Sequence, residues 1–140
     1  MEVCCDREML LRPEPYRDAF EGYTVPPRVL EVLQSIRERT TLFVVLGYWC
    51  PDSQRIVPGV LRAEKDAENP NLNLLAVTVT YAETDHLPVD IGCFSVRCFP
   101  TVIFVRGRHE VVESPAAEDE IIRFVEEPID PERLAAALGV

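Results

Sequence analysis

The sequence predicts an α/β protein in which a mixed β-sheet is sandwiched by helices, and three observations carry that expectation. Two apolar runs, Leu42-Phe43-Val44-Val45-Leu46 and residues 72–80, are rich in β-formers, as befits strands buried on both faces of a sheet. The stretch between them has helical apolar spacing, so the unit reads as strand, helix, strand with a right-handed parallel crossover. After Pro100, residues 101–105 and 110–113 flank Arg106-Gly107-Arg108-His109 and read as a β-hairpin that adds antiparallel strands.

The elements follow in order. Residues 1–25 carry Pro13, Pro15, Tyr16, Phe20 and Tyr23 and are expected as an arm with a short helical turn, packed on a single domain of residues 26–140. Pro26-Pro27 opens a helix over residues 28–39, because proline suits a first helical turn and Val29, Leu30, Val32, Leu33 and Ile36 follow helical spacing. The strand at 42–46 should be central. A helix then runs from Cys50 to about Ala67 and is expected to kink at Pro58. Asn69-Pro70-Asn71 forms a turn before the second strand. Residues 81–88 are polar, residues 89–94 are expected as a short helix, and residues 118–126 and 131–138 as two more, with Gly139 at the final C-terminus.

Composition narrows the function. A chain of 140 residues is long enough for a real core, and its apolar runs are too short to span a membrane. Met9-Leu10-Leu11 is too short for a secretory hydrophobic region and has acidic neighbours, so a cytoplasmic location is expected. With 24 acidic against 14 basic residues, the net charge of −10 argues against nucleic-acid or anionic-membrane partners. Glu64, Asp66 and Glu68 read as part of a solvated face. The five cysteines Cys4, Cys5, Cys50, Cys93 and Cys98 have neither zinc-ligand spacing nor a secretory context. Cys4 and Cys5 read as exposed, incidental thiols near a frayed terminus, and Cys93 as a core residue beside Phe94. His86 and His109 fall in turns without catalytic or metal-ligating neighbours; no metal or cofactor is expected.

The chemistry concentrates at Trp49-Cys50-Pro51-Asp52-Ser53. Cys50 follows a buried strand and opens a helix, so its sulfur faces unpaired N–H groups and a macrodipole that favour a thiolate. Pro51 has no N–H to leave unpaired at the first helical position. Ser53 can donate a hydrogen bond to the sulfur but cannot resolve a mixed disulfide, and the carboxylate of Asp52 opposes a second negative charge.

Trp49-Cys50-Pro51-Asp52-Ser53, followed by Pro58, resembles the active-site motif and kinked helix of the thioredoxin superfamily, and Val96-Arg97-Cys98-Phe99-Pro100-Thr101 is similar to its cis-proline loop. The likeness covers about residues 27–138 and implies a thioredoxin-like three-layer sandwich with Pro100 cis and facing Cys50. It implies that Phe99 pairs through its backbone with a substrate segment held near Trp49, Pro51 and Asp52. Three departures stand out. Ser53 replaces the resolving cysteine, Val44 stands where the family often has a buried aspartate, and residues 81–88 form a longer insertion. Cys98, two residues before Pro100, is the best internal candidate for a resolving thiol, provided its Cα lies within about 7 Å of that of Cys50.

The expectation is a monothiol thiol-disulfide exchange protein in which Cys50 forms mixed disulfides with a protein or low-molecular-weight thiol, resolution being external. Isomerase-like behaviour needs the same single thiol. The alternative is a redox-inactive thioredoxin-fold module that binds a peptide or acts as a chaperone-like accessory.

Overall fold

The computed structural model describes residues 1–91, 94–106, 121–125 and 131–139. It contains strands β1 (Glu2–Cys4), β2 (Thr40–Leu46), β3 (Leu72–Thr78), β4 (Val89–Ile91), β5 (Phe94–Val96), β6 (Thr101–Arg106) and β7 (Ile121–Val125). The helices are α1 (Arg7–Leu10), α2 (Glu14–Gly22), α3 (Pro27–Gln34), α4 (Pro51–Ala67) and α5 (Pro131–Leu138), with a 3₁₀ turn at Ala82–Asp85.

Strands β1-β3-β2-β6-β7 form a mixed five-stranded sheet, and β4 and β5 form a separate two-stranded one. β2 is central: it runs parallel to β3, with Val44 opposite Ala76, and antiparallel to β6, with Val44 opposite Val102. All seven β2 residues are buried, which is why the run carries no polar alternation beyond Thr40 and Thr41.

Alternate side chains along β2, β3 and β6 feed two cores, as the two-residue period of a strand requires. Leu42, Val44, Leu46, Ala76, Val102 and Phe104 face one side and pack with Leu10, Tyr16, Phe20, Val32, Leu33, Val57, Leu61 and Leu134. Phe43, Val45, Val77, Ile103 and Val105 face the other and meet Cys50, Val89, Ile91, Val96 and Phe99. Each large side chain so buried stabilises the fold by about 1.5–3 kcal/mol. Among the described residues, the buried apolar residues of α1–α5 thus all join the first core, while β4–β5 and the loop before β6 cover the second. The expected mixed sheet flanked by helices is thus present, and among the described residues the second core is covered by a two-stranded ribbon.

Several local expectations are corrected. Residues 1–25 form an edge strand and two helices rather than an arm with one turn: β1 pairs antiparallel with β3, and Leu10, Leu11, Tyr16 and Phe20 are core residues. Cys4 therefore lies in a paired strand, half-buried, whereas Cys5 is exposed as expected. Residues 89–91 and 94–96 are paired strands, not a helix, because Val89 and Ile91 alternate with exposed Asp90 and bury a single face. Within 118–126, residues 121–125 form a strand antiparallel to β6. Glu64 and Asp66 are not merely solvated: half-buried, they pair with Arg7 and Arg62. The hairpin strand expected at 110–113, with Cys93 and His109, lies outside the described residues.

Helix α3 stops at Gln34, earlier than its apolar spacing suggests, since Asn69 takes over the carbonyls that end it. The Asn69 amide donates to Leu33 O at 2.9 Å and Ile36 O at 2.8 Å, while its own Oδ1 accepts from Asn71 N–H at 2.9 Å. Helix α4 runs unbroken through Pro58 and closes at Glu68 in the left-handed region. No helix of the described residues is long and apolar enough to cross a membrane.

Candidate functional site

The site lies where β2 hands over to α4. The Trp49 indole folds back over Gly47, so a Cβ there would sit 2.5 Å from the ring and force it to shift. Trp49 is held in that pose by its Nε1–H, which donates to Val79 O at 2.9 Å. Its ring also makes edge contacts with Tyr81 at 5.3 Å and Phe99 at 5.6 Å. The indole nonetheless stays 37% exposed beside Tyr81, which is 68% exposed, giving an aromatic rim to the site.

Cys50 occupies the N-cap of α4 with extended backbone, and Pro51 fills the first helical turn. The Cys50 N–H donates to Gly47 O at 2.9 Å and its carbonyl accepts from Gln54 N–H at 3.1 Å, so the residue is fixed from both sides. Its thiol, 8% exposed, donates to Phe99 O at 3.5 Å. Phe99–Pro100 is cis, as the resemblance implies, and Leu87–Pro88 is a second cis bond that nothing in the sequence announces. The loop is pinned by the Thr101 hydroxyl, which donates to Cys98 O at 2.7 Å. Cys98 itself is half-buried and free, one residue from the carbonyl that Cys50 touches.

Ser53 is fully buried, and its Oγ accepts the Gly47 N–H at 3.3 Å. Asp52 points to solvent and pairs with Arg55 at 3.5 Å, an exposed i,i+3 pair that partly offsets its opposition to a thiolate. Trp49, Cys50, Phe99 and Pro100 thus converge on one spot, with Pro51 and Asp52 on its outer edge.

Beneath the site stands Tyr16 of α2, which the sequence alone places in a peripheral arm. Tyr16 is 1% exposed and packs edge-on against Tyr48 with centroids 4.9 Å apart. Tyr48 in turn donates its hydroxyl to Leu10 O at 2.9 Å, tying the strand-to-helix turn to the first helix. The buried Tyr16 hydroxyl makes no hydrogen bond among the described residues. Burial above all, then the neighbouring Tyr48 and Cys50, hold it protonated far above the usual tyrosine range, with Ser53 pulling weakly the other way. Burial also raises Tyr48, followed by Cys4 and Glu2. The one signal for Tyr16 in the sequence is its i,i+4 spacing with Phe20, which places both on one helix face.

Val44 is fully buried in the helix-covered core. His86 is exposed. Among the described residues no cluster of His, Cys, Asp or Glu has metal-binding geometry.

No protein-family model and no curated protein matches the chain. Among solved structures, a protein of unknown function from Pseudomonas aeruginosa is 24% identical, with a TM-score of 0.49, covering 89% of this chain and 70% of that one. An HIV epitope-scaffold is 23% identical, with a TM-score of 0.47 and the same coverage.

Proposed function

We propose that the chain is a thioredoxin-like, monothiol thiol-disulfide exchange protein with Cys50 as its nucleophile. The observation that carries this reading is the meeting of the Cys50 thiol, at the N-cap of α4, with the carbonyl before Pro100. A thiolate at that cap faces the unpaired N–H groups of the first helical turn. An extended partner lying along the Phe99 loop would bring its disulfide to the same sulfur.

In the forward step the Cys50 thiolate attacks one sulfur of a partner disulfide. The new Cys50–sulfur bond forms as the partner's S–S bond breaks, and the departing sulfur leaves as a thiolate that takes a proton from water. Ser53 has no thiol for the second step, so a protein or low-molecular-weight thiol attacks the mixed disulfide and releases Cys50. Cys98, the neighbour of Phe99, is the internal candidate for that role. The same capture step would serve an isomerase-like cycle.

The 8% exposure of Cys50 favours a second reading, a redox-inactive module that uses the Trp49, Tyr81 and Phe99 surface for peptide binding or chaperone-like work. Trapping with a disulfide-bonded peptide separates the two. Capture by wild type, lost in Cys50→Ser and kept in Cys4→Ser and Cys98→Ser, is expected. Equal labelling of the cysteines, or capture that survives Cys50→Ser, would rule the exchange reading out.

A further inference from the structure

We propose that a cleft at the free half of the β3 edge binds a short peptide in its zwitterionic form. The site is separate from Cys50: Thr41, near the start of β2, lines the cleft, whereas Cys50 follows the far end of that strand. The proposal therefore stands or falls independently of the exchange reading.

The cleft follows from a mismatch of strand lengths. β3 runs from Leu72 to Thr78, but β1 pairs only with its residues 76–78. Beyond Cys4 the chain leaves the sheet for α1, so no strand covers residues 72–75 on that side among the described residues. A strand edge left open in this way presents unpaired N–H and C=O groups, to which an extended segment can add. This edge and the ion pair of Arg7 with Glu64 border one cleft of about 630 Å³, a size within the range of small-molecule sites.

Three polar groups of the lining define what the cleft takes. Arg7 Nε and Asn73 Nδ2, both buried in its wall, have no hydrogen-bond partner. Both are donors only, and buried donors without an acceptor are rare in native interiors. Asp6 is the third: its carboxylate caps α1 through Glu8 N–H, but no cation pairs with it among the described residues. The other charges are spoken for, since Arg7 pairs with Glu64 and Glu8 with Arg17.

The two donors call for an oxygen acceptor, and Asp6 calls for a positive charge. A simple anion would supply only the first and would be repelled by the carboxylates of Asp6, Glu8 and Glu64, which outnumber the one guanidinium lining the cleft. A short peptide supplies both: its carboxylate faces Arg7 and Asn73, its ammonium faces Asp6, and its amides pair along the open edge. Side-chain turns of the size common on binding bring the two buried donors to it.

The test is an NMR titration of the isotope-labelled protein with trialanine, followed at the Arg7 Nε–H and Asn73 side-chain amide signals. Both should shift and saturate. N-acetyl-trialanine, which lacks the ammonium, and trialanine amide, which lacks the carboxylate, should each bind at least about tenfold more weakly. Asn73→Ala and Arg7→Lys should each weaken trialanine about three- to tenfold with an unchanged circular dichroism spectrum. Arg7→Lys keeps a charge beside Glu64, so it carries the test by itself if Asn73→Ala disturbs β3. Signals that stay in place at about 10 mM trialanine, where even a millimolar site would be filled, would overturn the proposal. Equal affinity for the three peptides, or unchanged affinity in the folded variants, would do the same.

Discussion

The Trp49 indole covers Gly47 so closely that a single methyl group on Gly47 would sit 2.5 Å from the ring. Trp49 cannot swing away without losing its hydrogen bond to Val79 O, so backbone and indole fix each other. Gly47→Ala should therefore destabilise the protein by about 1–3 kcal/mol, as forced repacking does. Trp49 is the single tryptophan, so its emission reports the displacement directly. A folded Gly47→Ala protein with wild-type emission and melting would show that the indole is not locked.

Asn69 should be the costliest surface-proximal amide to remove. It accepts from Asn71 and donates to both Leu33 O and Ile36 O, joining the end of α3 to the turn before β3. Asn69→Ala strands Leu33 O and leaves Ile36 O only the longer bond from Asn71 Nδ2 at 3.5 Å, and a loss of about 1–3 kcal/mol in urea unfolding is expected. An Asn69→Asp protein keeps the acceptor but loses both donations, so it should be destabilised as well. Equal stability of Asn69→Asp and wild type would mean the two carbonyls find water instead.

Alkaline pH should unfold the protein through its buried tyrosines. Tyr16 and Tyr48 ionise above their ordinary value of 10.0 when folded. Their contribution is fully present below that pH and is lost as pH rises through the folded values. Stability should fall by about 1.4 kcal/mol per pH unit for each such tyrosine once the unfolded form ionises. Tyr16→Phe should flatten that fall while leaving stability near neutral pH unchanged or higher. Identical slopes for the two proteins above the ordinary tyrosine value of 10.0 would sink the assignment.

Ser53→Cys tests whether the position three residues after Cys50 can hold a thiol that bonds to it. A thiol introduced three residues after Cys50 should close a disulfide with it under mild oxidation, and peptide mapping by mass spectrometry would find the pair. Persistently free thiols at both positions would show that the fully buried Ser53 pocket does not admit the geometry of a disulfide.

Much of the central architecture is legible in the sequence. The run at 42–46 is apolar at every position because β2 is covered on both faces, and Pro51 marks the start of α4 by chemistry that needs no tertiary context. The candidate site is legible for the same reason, since Trp49, Cys50 and Pro51 are consecutive and Phe99-Pro100 is a local signal. Short elements are less so. The strand Ile121–Val125 follows an acidic stretch that resembles a helix start, and only its pairing with β6 decides for a strand. Residues 89–91 do alternate, but three residues are too few to outweigh helical spacing. Tyr16 is hidden for another reason. Its burial depends on α2 packing across α4, a contact between residues distant in the chain that no local pattern encodes.

Among the described residues, Cys50 shares its core with side chains of β2, β3 and β6, covered by β4, β5 and the Phe99 loop rather than by a helix. That cover is a two-stranded ribbon of three residue pairs, the kind of unit that is marginal in isolation and opens well below the free energy of global unfolding. Local opening of that ribbon would uncover the second core, Cys50 included, before the central sheet unfolds. Changes at Val89, Ile91 or Val96 would then act on two quantities at once, the accessibility of Cys50 and, since all three side chains are buried, the stability of the fold.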